Sequence, residues 1–215
     1  MKVNTLLPRY VFLGPPGSGK GTQAIFLASK IGIPHISTGA LFREAVSTKT
    51  ALGEKIAIKM SKGEYVSDEE TNAIIDEAFK VKNLFAGYIL DGYPRTMDQV
   101  LHLEKMAPPS SIILLDIPDD EVVKRISGRL VCSSCGATYH KLGPTPKDEG
   151  VCDKCGQKLI TRADDAEDAV RQRLAVYHKS TEPLINFYLA KGSLIKIDGR
   201  LSVNDVRDSI NNNLI

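Results

Sequence analysis

No apolar run in this 215-residue chain approaches the ~18 residues a membrane-spanning helix needs, so no transmembrane segment is expected. Surplus charge is equally scarce: 28 Lys and Arg against 26 Asp and Glu leave a net +2. That balance argues against a broad basic surface for nucleic acid or anionic lipid. Neither an internal repeat, nor a low-complexity tract, nor a basic stripe interleaved with aromatics is visible. The opening Met1-Lys2-Val3-Asn4-Thr5-Leu6-Leu7-Pro8 lacks the apolar stretch of a secretory signal, which leads us to expect a cytoplasmic protein. Cysteine is confined to positions 132–155, where all four occur. In a reducing compartment such a cluster favours a metal site over disulfides. The histidines (His35, His102, His140, His178) are scattered and read as structural or exposed.

What is present is alternation. Apolar runs at 10–13, 88–90, 112–117 and 194–197, with a shorter one at 34–37, read as strands. Segments with helical spacing lie between them, including 19–31, 68–80, 96–106 and 119–127. Ser67-x-x-Glu70 reads as a capping box opening one helix, and Glu182-Pro183 suits the first turn of another. Strands alternating with helices predict an α/β fold with a parallel sheet covered on both faces. At 42% apolar content the chain can bury one substantial core. Two segments break the pattern. Residues 38–66 are helical and polar with no strand, and residues 128–165 replace apolar periodicity with cysteines, prolines and lysines. The α/β pattern then resumes at Asp165 with a long helix. Excursions of that length in a compact domain are usually covers or binding modules.

Gly14-Pro15-Pro16-Gly17-Ser18-Gly19-Lys20-Gly21-Thr22 follows the first strand and leads into the first helix. Strand, glycine-rich turn and helix start together wrap backbone N–H groups around phosphate. Lys20 adds a point charge for the β- and γ-phosphates. The hydroxyl that usually follows the lysine arrives one place late, at Thr22, because Gly21 intervenes. Asp91, after the strand at 88–90, stands where a phosphate-loop enzyme keeps its magnesium-side carboxylate; the alternative is a plain turn aspartate.

Cys132-Ser133-Ser134-Cys135-Gly136 and Cys152-Asp153-Lys154-Cys155-Gly156 form two Cys-x-x-Cys knuckles 16 residues apart. That spacing fits a tetrahedral zinc site with four thiolate ligands. Four sulfurs leave no open coordination position, so the metal is expected to be structural. Arg43, Arg95, Arg125, Arg129, Arg162 and Arg173 lie mostly near element ends or insert borders. Converging on the loop, they would clamp phosphate bidentately; separately, they would be solvated surface groups.

These motifs, with Ile36-Ser37-Thr38-Gly39…Arg43, Leu90-Asp91-Gly92-Tyr93-Pro94-Arg95-Thr96…Gln99, Arg125-Ile126-Ser127-Gly128-Arg129 and Thr161-Arg162-Ala163-Asp164-Asp165…Arg173, give the chain its resemblance to a known family. Over nearly its whole length it resembles the adenylate kinases, ATP:AMP phosphotransferases, in their long-lid, zinc-bearing form. The resemblance implies a P-loop nucleoside monophosphate kinase fold with a five-stranded parallel sheet flanked by helices. The core would comprise residues 1–37, 67–127 and 166–215. An AMP-binding segment would occupy 38–66, and a zinc-ribbon lid 128–165. ATP would be held by Gly17, Ser18, Gly19, Lys20, Gly21 and Thr22, by Arg129, Thr138 and Tyr139 from the lid, and by Arg125 and the main chain near Arg200 at the adenine. AMP would meet Thr38, Gly39, Arg43, the Glu64-Tyr65-Val66 backbone, Gly92, Tyr93, Pro94, Arg95 and Gln99. Arg162 and Arg173 would bridge the transferring phosphate. Lys20, Arg95, Arg129, Arg162, Arg173 and Asp91 would carry catalysis, with Mg²⁺ accompanying ATP and structural Zn²⁺ held by Cys132, Cys135, Cys152 and Cys155. A monomer is implied, with ATP, AMP and ADP as its partners and neither nucleic acid nor membrane. One departure is Ala40, where the family often has Asp after Thr-Gly.

The chemistry needs no general base, because the second pKa of a phosphate monoester lies near ~6 and the attacking oxygen of AMP is already ionised at neutral pH. What it needs is a positive field that brings two polyanions together, and exclusion of water. Two rival readings remain: a kinase of another nucleoside monophosphate, and a zinc-ribbon binding module fused to a phosphate-loop regulator.

Overall fold

A computed structural model describes residues 7–47, 51–141 and 143–214. The start of the chain read above (residues 1–6), positions 48–50 of the polar helical segment, and residue 142 of the insert lie outside the described residues. Among those described are eight strands: β1 (Arg9–Leu13), β2 (His35–Ser37), β3 (Tyr88–Asp91), β4 (Ser111–Asp116), β5 (Arg129–Cys132), β6 (Thr138–His140), β7 (Leu159–Ile160) and β8 (Leu194–Asp198). Five form a parallel sheet in the order β2-β3-β1-β4-β8. The other three form a small antiparallel ribbon, β6-β5-β7.

Both faces of the large sheet are covered, which is why its strands read as unbroken apolar runs. Val11 and Leu13 of β1 point into a cluster with Ile36, Leu90, Ile112 and Tyr188. Phe12, one residue out of phase, packs on the other face with Ile89, Ile113, Leu115 and Ile197. On the first face lie α4 (Asp68–Val81), α5 (Met97–Met106) and α8 (Pro183–Ala190), and on the second α1 (Lys20–Ile31) and α9 (Val203–Leu214); α2 (Thr38–Ser47) packs with α3 (Ala51–Ser61), and α6 (Asp119–Ser127) with α7 (Glu167–Val176), in separate small clusters.

The α4 cap forms as expected, with Ser67 Oγ accepting from the Glu70 N–H and bonding the Glu70 carboxylate at 2.8 Å. Thr96 is the N-cap of α5, its Oγ1 accepting from the Gln99 N–H, so that helix begins one residue later than the periodicity suggests. Asp91 closes β3 instead of following it. The long helix expected from Asp165 starts at Glu167, because residues 163–165 wind into a 3₁₀ turn. The sequence reading has no counterpart to α9, although Ser202 Oγ capping the Asp205 N–H is a signal of the usual kind.

β1 lies between β3 and β4, and the chain leaves it on one side and later returns on the other. That reversal opens a crevice at the carboxyl ends of the strands, the general place for ligands in such sheets. The glycine-rich loop after β1 sits there.

Candidate phosphoryl-transfer site

Two glycines make the loop possible. A Cβ on Gly14 would fall 2.4 Å from the Leu115 carbonyl oxygen, so main chain crosses main chain where no side chain fits. Gly19 caps α1 in the left-handed region, φ +95°, and turns the first N–H groups of the helix toward the loop. Ser18 is buried beneath, and its N–H donates to Pro15 O. Lys20 folds over this arch, donating to Gly14 O and Pro15 O at 2.8 Å and lying 3.3 Å from Ser18 Oγ. Burial pushes the Lys20 ammonium down to about 8. Asp91 opposes that shift, while Arg95, Arg173 and Arg129 reinforce it. Four charged groups from three other parts of the sequence thus act on one ammonium.

Asp91 lies against the start of α1: a Cβ on Gly21 would be 3.1 Å from Asp91 Oδ2. Gly21, which displaces the usual hydroxyl, leaves the room that this carboxylate fills. Thr22, one residue further, is half-buried. Beyond Asp91 the backbone turns at Gly92, whose carbonyl accepts from Thr38 Oγ1 at 2.8 Å and from Arg95 Nε at 2.7 Å. Arg95 is anchored at both ends. Its N–H donates to Gln99 Oε1 (2.7 Å), and its guanidinium carbon lies 4.9 Å from the centroid of the Tyr65 ring. Gln99 is buried and its amide nitrogen donates to Asp68 Oδ1 at 2.6 Å, so both ends of its side chain are engaged within the protein. Thr38, 1% exposed, is likewise bonded internally. Tyr93 is fully buried, its hydroxyl donating to Asn72 Oδ1, and Pro94 is buried beside it. The Arg43 side chain folds back over the start of α2, where a Cβ on Gly39 would meet Arg43 Nη1 at 3.2 Å. Glu64 is exposed and Val66 packs on Phe42 and Ile56, which leaves the main chain of 64–66 along the rim.

Arg129 and Arg173 converge on a feature the sequence reading left without a role, the pair Asp164 and Asp165. Arg129 grips the Asp165 carboxylate with Nε at 2.8 Å and with Nη2. Arg173 Nη1 donates to Asp164 O at 3.0 Å and Oδ2 at 3.1 Å, and lies 3.6 Å from Asp165 Oδ1. The Asp165 side chain has no exposed area. Adjacent aspartates between Arg162 and Arg173 were the signal available in the sequence. Burial, with the nearby Arg43 and Arg129 charges, lowers Arg162 to about 10 against the pull of Asp164 and Asp165. Desolvation also lowers Arg43 and Arg173. Arg125 stands apart from this group. It acts on Asp198, which Arg200 holds through its N–H and guanidinium and depresses to about 2. Five of the six singled-out arginines therefore act electrostatically on Lys20 or on one another, and the sixth acts instead on the Asp198 that Arg200 holds.

In the ribbon, the sulfurs of Cys132, Cys135, Cys152 and Cys155 all lie within 4.8 Å of one another. Two of those separations are 3.4 and 3.5 Å. A tetrahedral zinc with Zn–S near 2.3 Å requires S···S edges of ~3.8 Å, so the donor set suits that ion. Thr138 is exposed at the start of β6. Tyr139 is turned into the ribbon core: its hydroxyl lies 3.6 Å from Cys152 Sγ and accepts from the Asp153 N–H at 2.9 Å. That hydroxyl supports the cysteine cage, which leaves the main chain of 138–139 as the part able to meet a nucleotide.

Comparison with known proteins agrees with this geometry. The adenylate kinase family model matches residues 12–193. The chain is 46% identical over 204 residues to an adenylate kinase of Lachnospira eligens, covering 92% of this chain and 95% of the relative. It is 42% identical over 211 residues to that of Clostridium novyi, covering 96% and 98%. It is also 46% identical over 201 residues to that of Archaeoglobus fulgidus, covering 91% and 93%. The chain belongs to the adenylate kinase family, phosphotransferases that interconvert ATP plus AMP with two ADP.

Proposed function

We propose that the crevice above β1 and β3 carries out this transfer with the residues just described. The observation supporting it is the burial of the Lys20 ammonium among Asp91, Arg95, Arg129 and Arg173. So much positive charge held out of water suits the phosphate chain of a nucleotide. Loop N–H groups of residues 17–22 and the Lys20 ammonium hold the β- and γ-phosphates of ATP, and Lys20 exchanges its contacts with Gly14 and Pro15 carbonyls for them. Arg125 and Arg200 line the adenine end. Arg95, Arg43 and the rim of 64–66 hold AMP, with Thr38 and Gln99 shaping the wall beside its base through the bonds they already make. An α-phosphate oxygen of AMP attacks the γ-phosphorus, and the bond to the β–γ bridging oxygen breaks, releasing ADP on both sides.

Asp91, against Gly21 and facing the loop, is the carboxylate that fits the water shell of magnesium. The ion, when bound, neutralises charge on the β- and γ-oxygens. Arg129, Arg162 and Arg173 stabilise the transferring group. Residues 38–66 and 128–165 close over the two substrates and exclude water. Zinc in the tetrathiolate stiffens the second of these and takes no part in the reaction. We further infer a cytoplasmic monomer that needs no nucleic acid or membrane.

A coupled assay of diphosphate formation from Mg-ATP with AMP, UMP, CMP and GMP tests the reading. AMP should be the best acceptor. Lys20→Met should lower turnover by about a hundredfold to a thousandfold. Equal rates with all four acceptors, or an active Lys20→Met variant, would refute it.

A further inference from the structure

Between α7 and α8 the chain makes a π turn, Tyr177–Thr181, closed by the Glu182 N–H donating to Tyr177 O at 2.9 Å. Such turns insert one residue into a helical run and often sit at functional places. This one carries Thr181 inward. Its side chain is 4% exposed and makes two hydrogen bonds, to Arg95 O at 2.9 Å and to Tyr65 OH at 2.9 Å. The polarity of the pair follows from the atoms. A carbonyl can only accept, so the single Thr181 proton goes to Arg95 O, and the Tyr65 hydroxyl must donate to Thr181 Oγ1. Tyr65 in turn carries the Arg95 guanidinium over its ring.

We propose that Thr181 is a positioning residue for the acceptor-phosphate clamp. One hydroxyl fixes both the Arg95 main chain and the aromatic platform beneath its side chain. The Arg95 N–H is taken by Gln99, Nε by the Gly92 carbonyl and the Arg95 carbonyl by Thr181, and together these bonds orient its two remaining amino groups. Tyr65 belongs to the segment before α4, Arg95 to the turn after β3, and Thr181 to the far side of the ribbon insert. The hydroxyl therefore ties together three parts of the chain that lie far apart in sequence. The inference rests on reading Arg95 as a ligand of the AMP phosphate.

The test is initial-rate kinetics of the full chain, varying each nucleotide in turn. Thr181→Val keeps the shape but loses the hydroxyl, leaving Arg95 O and Tyr65 OH unpaired. KM for AMP should rise about tenfold, KM for ATP should stay within about twofold, and Thr181→Ser should restore most of the loss. Parallel rises in both KM values, an unchanged KM for AMP, or a Ser variant as poor as Val would each overturn the proposal. If the Val variant does not fold, Tyr65→Phe removes one hydroxyl from the same chain and should raise KM for AMP about threefold; no change would overturn it equally. Arg95→Ala separates the two layers. If it spares KM for AMP, the reading of the clamp fails; if it raises that KM while Thr181→Val does not, only the role of Thr181 fails.

Discussion

The five central strands and the three-stranded ribbon are both sheets, yet their interiors differ sharply. Val11, Phe12, Ile89, Leu90, Ile112, Ile113 and Leu115 have at most 0% exposure, with helices above and below. The ribbon's buried cluster is Cys132, Tyr139, Cys152 and Leu159, of which two are metal-type ligands. A Leu→Ala change in the first region costs about 3–5 kcal/mol, because the surrounding packing relaxes only partly. The second region has too little apolar surface for such a penalty, and a metal held by the four cysteines would supply what burial does not. The arginines stand on the boundary between them. Arg129 opens β5 and Asp165 follows the ribbon, so their ion pair ties the base of the ribbon to the Arg173 side of the crevice.

Taking the metal cage apart should sharpen the contrast most. Double substitution of Cys132→Ser and Cys152→Ser should lower Tm by on the order of 10 °C, since structural zinc contributes folding free energy directly. Turnover measured in the cold, well below the melting transition, should fall much less. A calorimetric scan beside a rate at low temperature decides it. Lost turnover with an unchanged melting curve would mean that the cage takes part in the reaction.

Next in size is Asp165→Asn. Its carboxylate has no exposed area and answers Arg129 and Arg173 together, so neutralising it leaves the half-buried Arg129 without its carboxylate and Arg173 with Asp164 alone. Breaking a buried pair this way costs about 3 kcal/mol. Turnover should drop about tenfold as the arginines spread apart, while Leu90→Ala at comparable destabilisation should leave cold turnover near normal. Equal effects of the two variants on turnover would erase the distinction between packing residues and boundary residues.

How much of this was legible in the chain follows the same boundary. The strands of the large sheet announce themselves because two covered faces leave no polar positions in 88–90 or 112–115. Strands β5, β6 and β7 are two to four residues long and carry no such run, so only the cysteine spacing betrayed the ribbon. The phosphate loop and Lys20 could be read locally, since their geometry depends on glycines within nine residues. The roles of Asp165 and Thr181 could not. Each acts on an arginine 36 or 86 positions away, a partner that only the fold brings near. The bond between the Tyr139 hydroxyl and Cys152 was equally hidden, because it joins residues 13 positions apart across the ribbon.

The smallest effect on stability, and the one with the most telling sign, concerns pH. Burial lowers Lys20 from 10.5 to about 8 in the folded chain. Below pH 8 both folded and unfolded chains carry the proton, and the cost of burying the charge is fully present. Between about 8 and 10.5 the unfolded chain keeps a proton that the folded chain has released. Folded stability due to Lys20 therefore rises across that window and is lost again as pH falls through 8. Function runs the other way, because the phosphates need the ammonium. In kcat/KM for ATP, which reports the free enzyme, activity should decline with an apparent pKa near 8, about tenfold by pH 9. Subtracting the melting profile of Lys20→Met from that of the parent chain isolates the stability side. Activity that stays level to pH 9, or a difference profile that falls through this window, would show that Lys20 keeps its charge with no cost from burial.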